Sequence, residues 1–346
     1  MMNATADTIA VYGAKIISRH AAAMKGEMEG VRKAEDIEYI HRMRVASRRM
    51  RSALTIFKAS FNKKEYQAID RDVRKVTRAL GEARDLDVQL EVVREAEAQF
   101  NSSRLLPGLK RLQLRLTQKR AEAQEHVISA MDRLAQDRLL ERLEAWYAPL
   151  QAAAEGVYLY SPALYQLAFE SVQARLMELL GHVPYISDPG NMAELHAMRI
   201  SAKRLRYTLE AFDDLFSGRL KPYISTGRKL QDQLGFIHDM DVWIQFVPAF
   251  IEEERARIVG YFGSDRPLKR LLPGLQAFQE SRRGLREAAY AEFLVSWSEI
   301  EAAKTWEEMM RLLNTPMDLE SALRLLEAAR ANNNPEAEPG NPADAA

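Results

Sequence analysis

The sequence predicts an all-α protein made of two similar antiparallel helical bundles. Three observations point there. Apolar residues recur every three or four positions along most of the 346 residues, the period of a helix. No run of period-two alternation with β-branched residues rises above noise, so no strand is expected. The stretch His41–Arg51, HRMRVASRRMR, returns 155 residues later as His196–Arg206, HAMRISAKRLR. A repeat at that distance indicates a duplicated domain, because solenoid units run only ~20–50 residues. The expected layout is one bundle over residues 1–150, a second over 151–330 and a disordered tail over 331–346.

Each element has a local reason. Residues 7–29 read as an amphipathic helix with Ile9, Ile16, Ile17 and Met24 toward the core, and Gly26 and Gly30 near its end. Asp36 suits the N-cap of a helix running to about Ser60. Lys63 to Leu80 is the next helix, with Gly81 as its C-terminal cap and Asp85 as the cap of a further one. Pro107 sits in the first turn of a long helix reaching past Ala130, and a short helix follows to about Tyr147. Residues 148–161 form the expected seam, and Ser161-Pro162 starts the second half. There the order repeats, with a helix at 162–180, a Pro/Gly break at 184–190, the His196 helix and a helix at 221–234 ending at Gly235. Leu105–Leu109, LLPGL, recurs as Leu271–Leu275, which places Arg286 where Arg120 fell. The tail is poor in apolar residues and rich in Pro, Asn and acids, the composition of disorder.

Composition narrows the function classes. Forty-nine basic and 49 acidic residues cancel, which argues against a generic nucleic-acid coat but not against a local basic pocket. No cysteine is present, so thiolate metal sites and disulfides are excluded. The first 20 residues show no basic segment followed by an apolar core, and no stretch approaches the ~20 apolar residues of a membrane span. A cytoplasmic protein without membrane partners is the expectation.

The two repeated helices carry the chemistry. At 100° per residue, Met43, Ala46, Met50, Ala53, Leu54 and Phe57 share one face of the first. His41, Arg44, Arg48 and Arg51 form an arc opposite, with Arg49 at its edge and Val45 inside it. In the second, His196, Arg199, Lys203 and Arg206 form the stripe, and Met198, Leu205, Leu209 and Phe212 the apolar face. One such helix alone would be a solvated surface. Solvated helices mix signs at i,i+4, however, and neither stretch contains an acid. Their counter-anions must come from other helices or from a ligand. A second basic stripe follows in each half, Arg71, Arg74, Lys75 and Arg78 in the first and Lys221, Arg228 and Lys229 in the second, with Asp232 aligned to Arg78.

A second constellation is also duplicated. Leu80-Gly81 leads to Asp85-Leu86-Asp87-Val88, and Leu234-Gly235 to Asp239-Met240-Asp241-Val242. The carboxylates could cap helices, could pair with arginines of the basic helices, or could hold Mg²⁺. Capping or pairing outweighs metal, since helix starts so often carry Asp. His238-Asp239 resembles half of a His-Asp phosphohydrolase motif, but the further ligands are missing and the first half has Arg84 instead of a histidine.

These two composite motifs, in order and twice, resemble the CHAD family, the conserved histidine α-helical domains. The resemblance spans nearly the whole chain except the tail. It implies two bundles related by a pseudo-twofold around a basic cavity, and binding of inorganic polyphosphate, with members found on polyphosphate granules. The implied contacts are His41, Arg44, Arg48 and Arg51 with His196, Arg199, Lys203 and Arg206. Arg49 and Arg204 stand beside them, and Arg74, Lys75, Arg78, Arg228 and Lys229 are additions from the following helices. No E-x-E-x-K strand of the triphosphatase barrel fused to some members occurs.

The physics of the residues agrees. Guanidinium groups match phosphate oxygens, and ten residues of helix spread the stripe over ~15 Å. That spread fits an extended polyanion, and no Gly-rich phosphate loop is present. Non-catalytic polyphosphate binding, without a cofactor or a catalytic residue, is therefore expected, together with granule-associated partners. The alternative is a Mg²⁺-dependent phosphohydrolase or phosphotransferase using the D-x-D pairs. A specific nucleic-acid binder would need a stacking platform, and the basic helices offer only Phe57, Tyr207 and Phe212.

Overall fold

The computed structural model describes residues 4–34, 36–154 and 161–315. Among them the regular structure is helical, with no strand. Ten α-helices run in order among the described residues: α1 Ala4–Lys33, α2 Ile37–Ile56, α3 Lys63–Phe100, α4 Leu106–Gln136, α5 Leu139–Ala153, α6 Pro162–Leu180, α7 Met192–Phe212, α8 Lys221–Phe262, α9 Leu272–Ala302 and α10 Thr305–Leu313. No helix among the described residues is long and apolar enough to cross a membrane. Part of the expected seam, at 155–160, and the tail at 331–346 lie outside the described residues.

The helix starts follow the local rules. The Asp36 carboxylate accepts the Glu38 backbone N–H at 2.8 Å and caps α2. Proline sits in the first turn of α4, α6, α8 and α9, where its missing N–H costs nothing. α2 ends at Ile56, and a 3₁₀ turn, Lys58–Ser60, completes the run expected to reach Ser60.

Two breaks expected from the sequence are absent. α3 continues through Gly81 and Asp85, and α8 through Gly235 and Asp239, so neither glycine ends a helix and neither aspartate caps one. A glycine costs a helix only ~1 kcal/mol, and the flanking Leu80 and Ala83, like Leu234 and Ile237, are buried in a continuous core that outweighs it. The glycines instead leave bare backbone beneath an arginine. A Cβ at Gly81 would lie 3.6 Å from Arg44 Nε, and one at Gly235 3.5 Å from Arg199 Nε.

Both sides of the 155–160 segment pack in the same scheme. α1 lies on α2 and α5, α2 on α3, and α3 on α4; α6 lies on α7 and α10, α7 on α8, and α8 on α9. Corresponding helices then meet across the molecule, α2 with α7 and α4 with α9. At the first crossing Phe57 and Phe212 pack edge-to-face at 6.1 Å, and Tyr12 packs on both. Around them runs the larger core, which includes Ile17, Met43, Met50, Met198, Phe216 and Trp297. A smaller core, with Leu90, Val93, Leu112, Trp243, Val247 and Phe278, joins parts of α3, α4, α8 and α9. Both cores therefore draw on both halves of the chain.

The two LPG turns make the second crossing. A Cβ at Gly108 would overlap the Leu271 carbonyl oxygen, and one at Gly274 would overlap the Leu105 carbonyl oxygen. Only a hydrogen at Cα allows the backbones this close. Gly274→Ala should therefore lower the unfolding free energy by ~1–3 kcal/mol through overpacking. Gly284→Ala, inside α9 with open space around it, should raise it by ~1 kcal/mol. Denaturant melts of the two variants test both signs, and a Gly274→Ala midpoint at or above wild type would overturn the first.

Candidate anion-binding site

The amphipathic pattern of α2 and α7 decides which way their cations point. Met43, Met50, Leu54, Met198, Leu205 and Leu209 are fully buried in the larger core. The basic faces must then turn away from it, and because α2 lies against α7 they turn toward one another. Arg48 feels Arg44, Arg199 and Arg206, and Lys203 feels Arg48, Arg199, Arg44 and Arg204.

A cavity of about 360 Å³ opens beside this crossing. Arg48 and Arg51 of α2, Arg74 of α3, Arg175 of α6, and Lys203 and Arg204 of α7 line it, with Asp70 as its one acid. Asp70 pairs with Arg74 at 2.8 Å, and Glu178 serves Arg175 and Arg204. Arg48, Arg51, Arg199 and Lys203 have no carboxylate within 4.0 Å among the described residues. Arg51 Nε is buried without a hydrogen-bond partner. Burial lowers the pKa of Arg51, and Arg74 and Arg204 push it the same way. A guanidinium stays protonated under such pressure, so the charge remains and needs a counter-ion.

The rest of the expected set is distributed elsewhere. Arg49 pairs with Glu210 at 2.8 Å. Arg206 is 3.7 Å from the same Glu210 carboxylate and lies over the Tyr207 ring. Its Cβ lies over Gly227 of α8, 3.5 Å from where a Cβ there would be. Arg49 and Arg228 line a different pocket with Arg19, His20, Asp213 and Asp214. Lys75 and Arg78 line a third, beside Glu82, His126 and Arg133 on the α4 side of α3. Lys229 reaches Glu299 at 3.7 Å, and Asp232 is exposed on α8. The stripes fail as a guide there because one helix presents cations over nearly half its circumference, and only the neighbouring helices select among them.

The cavity and the Arg49 pocket share Tyr207 at the α2–α7 crossing, the cavity lined also from α3 and α6 and the Arg49 pocket from α1 and α8. At the 155-residue offset Arg51 corresponds to Arg206, Thr55 to Glu210, and Arg175 to His20. The cavity therefore leaves Arg48 and Arg51 without a paired carboxylate among the described residues, whereas Glu210 collects Arg49 and Arg206 beside the other pocket. Arg175 was missed in the sequence because α6 carries no motif, and its only signal was this offset from His20.

The histidines flank the crossing. His196 packs on His238 with ring centroids 3.9 Å apart, and His196 Nδ1 is buried without a partner. Burial pushes His41 and His196 below their ordinary values, with Arg84 adding to the first and Arg199 to the second. Burial and His196 pull His238 down to about 4. At neutral pH they offer N–H groups more than charge.

The D-x-D pairs are engaged by arginines. Asp87 accepts from Arg120 at 2.6 Å, and Asp241 from Arg286 at 2.7 Å. Asp85 pairs with Arg44 at 3.2 Å, and Asp239, without a direct ion pair among the described residues, feels the charges of Arg199, Asp85 and Arg44. The first aspartate of each pair thus acts on the arginine that crosses the glycine, and the second ties its helix to the next one.

Comparison with known proteins follows the same lines. The CHAD domain model matches residues 15–248. The crystal structure of the CHAD domain from the plant Ricinus communis is similar over 82% of this chain and 91% of its own, at 22% identity and a TM-score of 0.52. PptA from Streptomyces chartreusis is similar over 85% of this chain and 99% of its own, at 18% identity and a TM-score of 0.55. At these identities the likeness is one of fold. No curated protein matches the chain.

Lys203 gives the site a pH signature. Burial first, then the four neighbouring arginines, pull its ammonium down to about 7. The cavity loses this charge as pH rises through that value, and a bound polyanion would favour the charged form. Binding should thus take up a proton, and affinity should fall between about pH 6 and about pH 8. Titrating tripolyphosphate in buffers of different ionisation enthalpy measures the uptake. Lys203→Arg, charged throughout, should remove both effects, and a wild-type affinity flat across that range would overturn the assignment.

Proposed function

The chain belongs to the CHAD domain family, and from that premise we propose that it binds inorganic polyphosphate in the cavity between α2, α3, α6 and α7 without chemical turnover. One observation carries this reading: Arg48, Arg51 and Lys203 line the cavity with no carboxylate paired to them among the described residues. Fixed cations without internal anions are costly. A ligand with a row of phosphates offsets that cost at several positions at once and releases its own counter-ions.

Both basic helices then grip one chain. Arg48 comes from the first half and Lys203 from the second, and a polymer held by one is at high effective concentration for the other. His41 and His196 supply N–H donors at the margins, and Arg44 and Arg199 extend the positive surface toward the D-x-D pairs. The function is binding, with recruitment to polyphosphate granules as its consequence. The aspartates serve by orienting guanidinium groups, since each is held by or near an arginine. Nucleic acid is a competitor through its phosphates alone.

The cavity, as opposed to the basic surface in general, can be tested directly. Arg48→Glu and Lys203→Glu should each weaken binding of long polyphosphate severely. Each should also flatten the slope of log affinity against log salt by more than the ~1 expected for one lost cation, because the new carboxylate repels the chain. Lys75→Glu and Arg78→Glu, in a different pocket, should change affinity little. Equal losses in all four variants would mean that the polymer coats the surface. Orthophosphate release from polyphosphate with Mg²⁺ or Mn²⁺ present should be absent, and turnover abolished by Asp85→Asn or Asp239→Asn would establish the enzymatic alternative.

A further inference from the structure

Lys203 is the one amine among the cationic side chains that line the cavity; the other five are guanidinium groups. Its counterpart at the 155-residue offset is Arg48, so the chain carries an amine where its own repeat carries a guanidinium. The two share most properties as phosphate ligands and differ in one. An arginine keeps its proton, whereas a crowded lysine can lose it and become a nucleophile.

Lys203 meets the conditions for that loss. It is half-buried, no carboxylate pairs with it among the described residues, and Arg48, Arg199, Arg44 and Arg204 surround it. Burial and these neighbours bring its pKa to about 7, so near neutral pH much of it is free amine. The cavity around it has room for a small molecule, and Arg48, Arg51 and Arg204 line the same space.

We infer that Lys203 is an acylation site for small acyl phosphates, the cavity arginines seating the phosphate while the Lys203 amine receives the acyl group. This rests on the reading of the cavity as a phosphate seat. The amine nitrogen attacks the acyl carbon, and an N–C bond forms. The bond from that carbon to the bridging oxygen breaks, and its electron pair leaves with orthophosphate. The amine proton departs with the phosphate, leaving a neutral amide. Guanidinium groups on the phosphate stabilise the leaving dianion, which is where charge develops.

The consequence is mutual exclusion. An occupied cavity denies the acyl phosphate its seat, and an acylated Lys203 removes a cation and fills the space a polyphosphate needs. The modification would then mark protein that is free of polymer.

The test uses the full chain and acetyl phosphate near neutral pH, with lysine-resolved acetylation followed by peptide mass mapping. Lys63, Lys64 and Lys110, all exposed, are the internal standards. An exposed lysine with a pKa of ~10.4 is almost wholly protonated there, so Lys203 should acetylate about tenfold faster or more. Long polyphosphate should suppress labelling at Lys203 alone. Arg48→Gln and Arg51→Gln should slow the Lys203 reaction with acetyl phosphate far more than with N-hydroxysuccinimidyl acetate, which has no phosphate to seat. Lys203 labelling no faster than the standards overturns the inference, as does equal slowing with both reagents. Polyphosphate affinity is measured in parallel. Selective labelling without polyphosphate binding would remove the proposed function and leave the acylation site standing. Binding without selective labelling would do the reverse.

Discussion

Like-charge repulsion between α2 and α7 is the constraint the rest of the structure contains. Two helices, each with a cationic stripe free of acids, lie against one another with Arg44, Arg48, Arg199 and Lys203 in mutual range. Nothing in the stripes themselves favours that approach. It is enforced from behind, by apolar faces buried in the larger core and by Phe57, Phe212 and Tyr12 packed at the helix ends. The LPG crossing of α4 on α9 fixes the same relation from a second side, through backbone contacts that only glycine permits. A rigid frame of this kind can hold charges at a spacing their own electrostatics would oppose, which leaves them ready for an anion.

The frame treats equivalent positions unequally. Glu210 stands where the first half has Thr55, and it collects Arg49 and Arg206. On that side of the crossing Arg19 also pairs with Asp214. On the other, Asp70 and Glu178 answer Arg74, Arg175 and Arg204, and Arg48, Arg51 and Lys203 remain in surplus. Glu210 thus pairs with arginines whose counterparts across the crossing include Arg51, unpaired among the described residues. The lysine at 203 adds a second asymmetry, since it alone in the cavity can exchange a proton near neutral pH.

The glycine and D-x-D motifs show how a local signal can be right about importance and wrong about role. Gly81 and Asp85 read as the end of one helix and the start of another, because free-standing sequence statistics favour those roles. In the fold they lie inside one helix, and so do Gly235 and Asp239. The glycines lie beneath Arg44 and Arg199, and Asp85, Asp87 and Asp241 hold guanidinium groups in place. Such roles belong to the partner helix, and no property of the motif itself announces them.

The helical class, the family and the capping of α2 by Asp36 followed from the sequence alone, because periodicity, motif order and cap chemistry act over a few residues. The apolar faces of α2 and α7 were legible for the same reason, and with them the direction in which the arginines must turn. Which arginines share a cavity was not. Arg49 and Arg51 are two residues apart on one helix, yet one is bound to Glu210 of α7 and the other opens onto the cavity. Arg175 reaches that cavity from a helix without a motif, while Lys75, Arg78 and Arg228 lie elsewhere. Charge is a property of a residue and can be read in order along the chain. Neutralisation is a property of pairs, and only the tertiary structure decides which pairs meet.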